Sequence, residues 1–131
     1  MTIPILPIVT IIDQRGEMGI IEFDIIPFVP QRFFWLTNTT TTETRGGHAH
    51  RTCEQMIICI SGSVTCCIES IKGAIDHCAL KAGEAIYLPL FHWLELSNFS
   101  DTCTIGVFAS EPYNENDYIR SKEEFELMQQ V

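Results

Sequence analysis

Apolar residues recur in short, strand-like stretches along the chain, and turn residues interrupt them at spacings near ten. Ile8 to Ile12 is β-branched and apolar, and Asp13-Gln14-Arg15-Gly16 ends it as a turn. Met18 to Phe23 predicts a second strand. Pro27 and Pro30 then interrupt, and Pro30 cannot donate to a ladder, which predicts a loop or an edge. Arg32 to Thr37 predicts a third strand carrying Phe33, Phe34 and Trp35, followed by a threonine-rich polar loop over Asn38 to Thr44. His48 to Ile60 is the longest strand candidate. Val64 to Glu69, Ala74 to Leu80, Ala85 to Leu88, His92 to Leu96 and Cys103 to Ala109 follow, separated by turns such as Ser61-Gly62-Ser63 and Lys81-Ala82-Gly83-Glu84.

No helical pattern separates one strand from the next, which excludes parallel βαβ units. Only the end reads as helical. Ser121-Lys122-Glu123-Glu124 is a capping box, and Phe125 and Met128 then share a face. The pattern therefore predicts an all-β fold, a small antiparallel barrel with a short C-terminal helix, with residues 1–131 as a single domain.

Charge narrows the function. Seventeen acidic residues against eight basic ones give a net charge of −9, which argues against nucleic-acid or anionic-membrane binding. No apolar run reaches the roughly 18 residues of a membrane span, and Met1 to Pro7 has no basic region of a signal peptide. The six cysteines form no C-x-x-C and sit mostly in apolar runs, as buried free thiols of a reducing compartment do. A cytoplasmic protein is expected. Arg15, Arg32, Arg45, Arg51 and Arg120 all fall in segments with other candidate chemistry. An arginine fork suits a phosphorylated small molecule even on an acidic protein.

The stretch Arg45-Gly46-Gly47-His48-Ala49-His50-Arg51-Thr52-Cys53-Glu54-Gln55 holds two of the four histidines. In a strand, alternation puts His48 and His50 on one face. Such a pair can move protons near neutral pH, or it can hold a metal ion.

The order H-x-H-x3-E, a turn glycine, and then Gly83, Pro89 and His92 resembles the paired motifs of the cupin superfamily, whose fold is a jelly-roll barrel. In many cupins such histidines and the glutamate converge on one divalent metal. A closer resemblance rests on Asp13-Gln14-Arg15-Gly16, Gln31-Arg32, Arg45-Gly46-Gly47-His48-Ala49-His50, Glu54-Gln55, Tyr87-Leu88-Pro89 and the run from Ala109 to Arg120. These segments look like the sugar 3,4-ketoisomerases of the WxcM-like group, which act on dTDP-4-keto-6-deoxyglucose. The resemblance implies a metal-independent and cofactor-free isomerase that moves a keto group from C4 to C3 in the synthesis of deoxyamino sugars and surface polysaccharides. It assigns His48 as the base at C3 and His50 as the proton shuttle toward C4. It implies substrate contacts from Arg45, Arg15, Arg32, Trp35, Glu54, His92, Tyr118 and Arg120. Trp35 stands where the family commonly has a tyrosine, so an indole that donates but cannot accept replaces a hydroxyl. It further implies a homodimer with an exchanged N-terminal strand. A neutral base with an ordinary pKa would lose activity below roughly pH 6. Two competing readings remain open at this point: a metal-dependent cupin enzyme acting on a small acid, and a non-catalytic cupin that binds a nucleotide sugar.

Overall fold

The computed structural model describes residues 2–130. In chain order the strands are β1 (Leu6–Pro7), β2 (Val9–Asp13), β3 (Gly16–Ile20), β4 (Arg32–Leu36), β5 (Arg45–His50) and β6 (Gln55–Ser61). Then come β7 (Ser63–Ser70), β8 (Ile75–Lys81), β9 (Glu84–Leu88), β10 (His92–Ser97), β11 (Thr104–Ala109) and β12 (Tyr118–Ile119), before helix α1 (Lys122–Met128). One sheet runs β1-β9-β6-β11-β4 and the other β12-β5-β10-β7-β8, with β2–β3 as a separate hairpin. All pairings are antiparallel, as the absence of crossover helices required. The expected fold class, a small antiparallel jelly roll with a short C-terminal helix, is met.

The two sheets enclose the main core. Ile57, Cys59, Ile86, Leu88, Ile105 and Val107 come from one, and Val64, Cys66, Ile68, Leu80, Leu94 and Leu96 from the other. Strand β6 lies centrally between β9 and β11, so its other face is covered as well. Met56 and Ile58 pack there under Ile8, Ile21 and Phe28. On the outside of the second sheet, Ala49, Trp93 and Ile119 bury Phe125 of α1. Burying that one ring contributes on the order of 2 kcal/mol, which seats a helix too short to stand alone. Ser121 caps α1 by accepting the Glu124 N–H, as the capping box predicted. The reciprocal half is absent, because the Glu124 carboxylate accepts from Arg51 at 2.6 Å instead.

Two strand boundaries differ most from the sequence reading. The stretch from His48 to Ile60 is two strands, not one. Residues 51–54 form a corner that carries the chain from one sheet to the other, held where Arg51 N–H donates to the Asp117 carbonyl and Ser110 N–H to the Glu54 carbonyl. The second strand stops at Ile20, and Phe23–Ile25 is a turn of 3₁₀ helix. Gly62 makes the β6–β7 turn at φ +73°, where a Cβ would lie 2.8 Å from the Cys103 Cα.

Candidate active site

Strand β5 carries the histidines, and its register on β10 decides where they point. Leu94 faces His48, Glu95 faces Gly46 and Leu96 faces Arg45, so Gly47 is an extra residue, a β-bulge. Simple alternation would put Arg45 and His48 on opposite faces. The bulge restores them to one side, because both lie opposite core-facing leucines. Only glycine suits it: Gly46 and Gly47 have φ of +85° and +72°, and a Cβ on Gly46 would meet the Leu94 carbonyl oxygen at 2.8 Å. The glycine pair before the histidines is thus what aims the arginine.

His48 and His50 sit edge-to-face with ring centroids 5.0 Å apart. Tyr118, opposite His50 in the β5–β12 pairing, lies 5.1 Å from the first ring and 4.4 Å from the second. His50 is only 2% exposed. Its Nδ1 donates to Asp117 Oδ2 at 2.6 Å, and Asp117 Oδ1 accepts from the Thr52 N–H at 2.5 Å and the Thr52 hydroxyl at 2.9 Å. The carboxylate is fixed by the corner of the chain and in turn fixes the imidazole. With Nδ1 carrying the proton, Nε2 is the free acceptor, and it is buried without a protein partner. Asp117 lies within the run from Ala109 to Arg120, but its role is not legible there. Nothing in a sequence says that residue 117 returns to residue 50.

Burial and the adjacent His50 imidazole lower the His48 pKa to about 4. Burial also lowers that of His50, outweighing the pull of Asp117. Burial pushes Asp117 up, but the hydrogen bonds from His50 and Thr52 prevail and hold it ionised. Both imidazoles are therefore neutral at working pH. The expected loss of activity below pH 6 moves downward accordingly.

A cavity of about 170 Å³ opens above His48, walled by Phe34, Ile57, Leu94 and Val107 and lined by Arg45, Gln55, Tyr118 and Arg120. Arg120 stacks on Tyr118 at 4.0 Å and donates through Nε and Nη2 to Glu115 at 2.6 and 2.9 Å. That ion pair draws Glu115 down to about 2 and raises Arg120. Arg32 shares the inward face of β4 with Phe34 and Leu36. Its guanidinium lies over the Phe34 and Tyr113 rings at 5.4 and 5.8 Å.

Several residues singled out by sequence lie elsewhere. Trp35 is exposed on the outer face of β4, because Arg32, Phe34 and Leu36 take the inward positions, so in one chain its indole does not wall this cavity. Glu54 is also on the outer side, where its carboxylate accepts from the Tyr87 hydroxyl at 2.5 Å. The corner at residues 51–54 shifts the alternation by one, and Gln55 points inward in its place. His92 is outside the cavity lining, and its Nδ1 bonds the Leu90 carbonyl at 2.8 Å. Arg15 sits on the β2–β3 turn, paired with Asp13 at 2.6 Å and remote from His48.

This placement bears on metal. His48, His50, Glu54 and His92 do not converge. His50, Cys53 and Asp117 do bring potential ligand atoms within 4.8 Å of one another. Yet the Arg32 guanidinium approaches the Cys53 thiol at 3.9 Å, and Asp117 already accepts three hydrogen bonds. A site with a resident cation against it and its carboxylate spoken for suits an imidazole–carboxylate pair better than a divalent ion.

The family model described as WxcM-like, C-terminal matches residues 1–130. The TDP-4-oxo-6-deoxy-alpha-D-glucose-3,4-oxoisomerase of Aneurinibacillus thermoaerophilus is 35% identical over 117 residues, 88% of this chain and 84% of the relative. A 3,4-ketoisomerase from Helicobacter canadensis superposes with a TM-score of 0.89 at 30% identity, covering 98% of each chain. A histidine-to-asparagine variant of the 3,4-ketoisomerase from Thermoanaerobacterium thermosaccharolyticum, solved with TDP-4-keto-6-deoxyglucose, superposes with a TM-score of 0.89 at 28% identity. That match covers 98% of this chain and 94% of the other.

Proposed function

The chain belongs to the WxcM-like, C-terminal family, and from that premise we propose that it is a TDP-4-keto-6-deoxyglucose 3,4-ketoisomerase. The observation that carries this reading is a pair of neutral imidazoles on one face of β5, beside a cavity with arginines at its rim. A cavity of about 170 Å³ takes a hexose ring and little more. The diphosphate and base would then lie across the rim, where Arg45, Arg120 and Arg32 supply forked donors.

The chemistry follows from the two rings. The C3–H bond lies next to the C4 carbonyl, so a base that removes the proton generates an enediolate with its charge on O4. His48 is the base in this reading, neutral because burial disfavours its charged form. A proton passes from O3 to O4, C4 takes a proton on carbon, and the carbonyl ends at C3. His50, with Nε2 free and Nδ1–H held by Asp117, is placed to relay that second proton. Nothing is oxidised or reduced overall, so no cofactor is required by the balance of the reaction.

The exposed apolar residues Val9, Ile11, Ile12 and Met18 on the hairpin, and Phe33 and Trp35 on the outer sheet face, support a homodimer. Exchange of the N-terminal strand between copies is the route by which Arg15, on the hairpin that follows it, would meet a substrate held by the second chain. No helix among the described residues is long and apolar enough to cross a membrane. We place the enzyme in the cytoplasm, where its six unbridged cysteines stay reduced. Incubation with TDP-4-keto-6-deoxyglucose in deuterated water tests the proposal. Proton NMR should show a 3-keto product labelled at C4 and, through the reverse step, label at C3 of the remaining 4-keto sugar; a binding-only protein would return the sugar unlabelled.

A further inference from the structure

Gln55 is 3% exposed and lines the cavity beside His48. It opens β6 opposite Leu88 on one side and Ala109 on the other, in phase with Ile57 and Cys59, so its side chain points between the sheets. Its amide makes no hydrogen bond to any described residue, because Ile57 and Val107 beside it on the same face offer no polar group. An amide that borders a cavity and has no hydrogen bond to a neighbouring side chain is free to donate to a ligand that enters it. The residue is also neutral, whereas the neighbouring carboxylate of Glu54 is held on the outer side by Tyr87. A carboxylate in place of Gln55 would repel the negative charge that develops on the sugar; an amide N–H stabilises it.

Resting on the ketoisomerase reading, we propose that Gln55 is a catalytic residue whose side-chain N–H donates to O4 of the bound 4-keto sugar and stabilises the enediolate. When the C3–H bond breaks and its electron pair becomes the C3–C4 π bond, the carbonyl π pair moves onto O4, and the Gln55 hydrogen bond strengthens at that moment. The interaction favours the transition state over the ground state, so it acts on turnover more than on binding.

The test is Gln55→Leu and Gln55→Met, two near-isosteric variants that keep the cavity wall and remove the donor. Turnover of TDP-4-keto-6-deoxyglucose should fall about 10²–10³-fold, the scale of one oxyanion donor. Entry of deuterium at C3 should slow in parallel, while TDP affinity and Tm stay at wild-type values. Gln55→Glu should lose at least as much, because it replaces the donor with a like charge. Either isosteric variant turning over within threefold of wild type would overturn the role. The wild-type chain separates this from the parent reading: if it forms no 3-keto product, the ketoisomerase assignment itself fails. If it forms that product and either variant matches it, only Gln55 is misassigned.

Discussion

Asp117 and Asp13 each hold a basic nitrogen at 2.6 Å, yet the two contacts stand in opposite surroundings. The His50 and Asp117 side chains are 2% and 4% exposed; those of Arg15 and Asp13 are 86% and 38% exposed. On the hairpin, water and salt screen the charges, both side chains have other conformations open to them, and the pair fixes nothing beyond a local turn. In the barrel the aspartate has no alternative partner but His50 and Thr52, so the contact selects which imidazole nitrogen bears the proton. Separation alone says little about what an ion pair does. The packing around it decides whether it orders a reaction or decorates a surface.

That contrast can be broken at several points. Removing the base should have the largest effect: His48→Asn is expected to lower turnover by about 10³-fold or more while the protein still binds TDP. A variant with near wild-type turnover would mean that the imidazole pair is not the catalytic centre. Asp117→Asn keeps the shape but lets the wrong His50 nitrogen carry the proton. Turnover should fall about 10²–10³-fold with KM little changed, and label at C4 should lag behind label at C3. Equal slowing at both carbons would count against His50 as the C4 relay.

At the rim, Arg45→Ala should raise KM about 10–100-fold and leave kcat within a few-fold, because a charge-assisted contact to phosphate binds ground and transition states alike. A change confined to kcat would move Arg45 from the nucleotide to the reacting ring. A subtler effect comes from proton linkage. The unfolded chain binds a proton at His48 below pH 6.5, whereas the folded chain binds it only near pH 4. The unfolded state therefore holds more protons between these values, so stability should rise with pH across that window and level off above it. His48→Asn should flatten that slope in urea titrations at pH 4.5 and 6.5, and the wild-type rate should persist well below pH 6. The smallest change is expected at the hairpin: Asp13→Asn removes the charge but keeps the turn acceptor, and Tm should be the same at low and high salt. A loss seen only at low salt would show that the exposed pair contributes after all.

Much of the site is legible in the chain alone. The paired histidines, the glycines ahead of them and the arginine ahead of those are local in sequence, and local order is what a strand preserves. The bulge was not readable, because Gly46-Gly47 could equally have made a turn. Nor was the phase shift at residues 51–54. Counting by twos from His50 brings Glu54 to the histidine face, while the real corner brings Gln55 there and leaves Glu54 with Tyr87. The outward direction of Trp35 was not readable either, since its strand alternates regularly but its phase depends on which face meets the core.

The sequence by itself determined an antiparallel β fold, a helix capped by Ser121, an acidic exterior, and two imidazoles spaced to share a face. These follow from periodicity, turn chemistry and composition, which need no partner from elsewhere in the chain. Only the tertiary structure decided that Asp117 stands behind His50, that Gln55 rather than Glu54 enters the cavity, and that both imidazoles lose their affinity for protons. Those properties arise from burial and from contacts between residues as many as 67 positions apart, which no local pattern encodes.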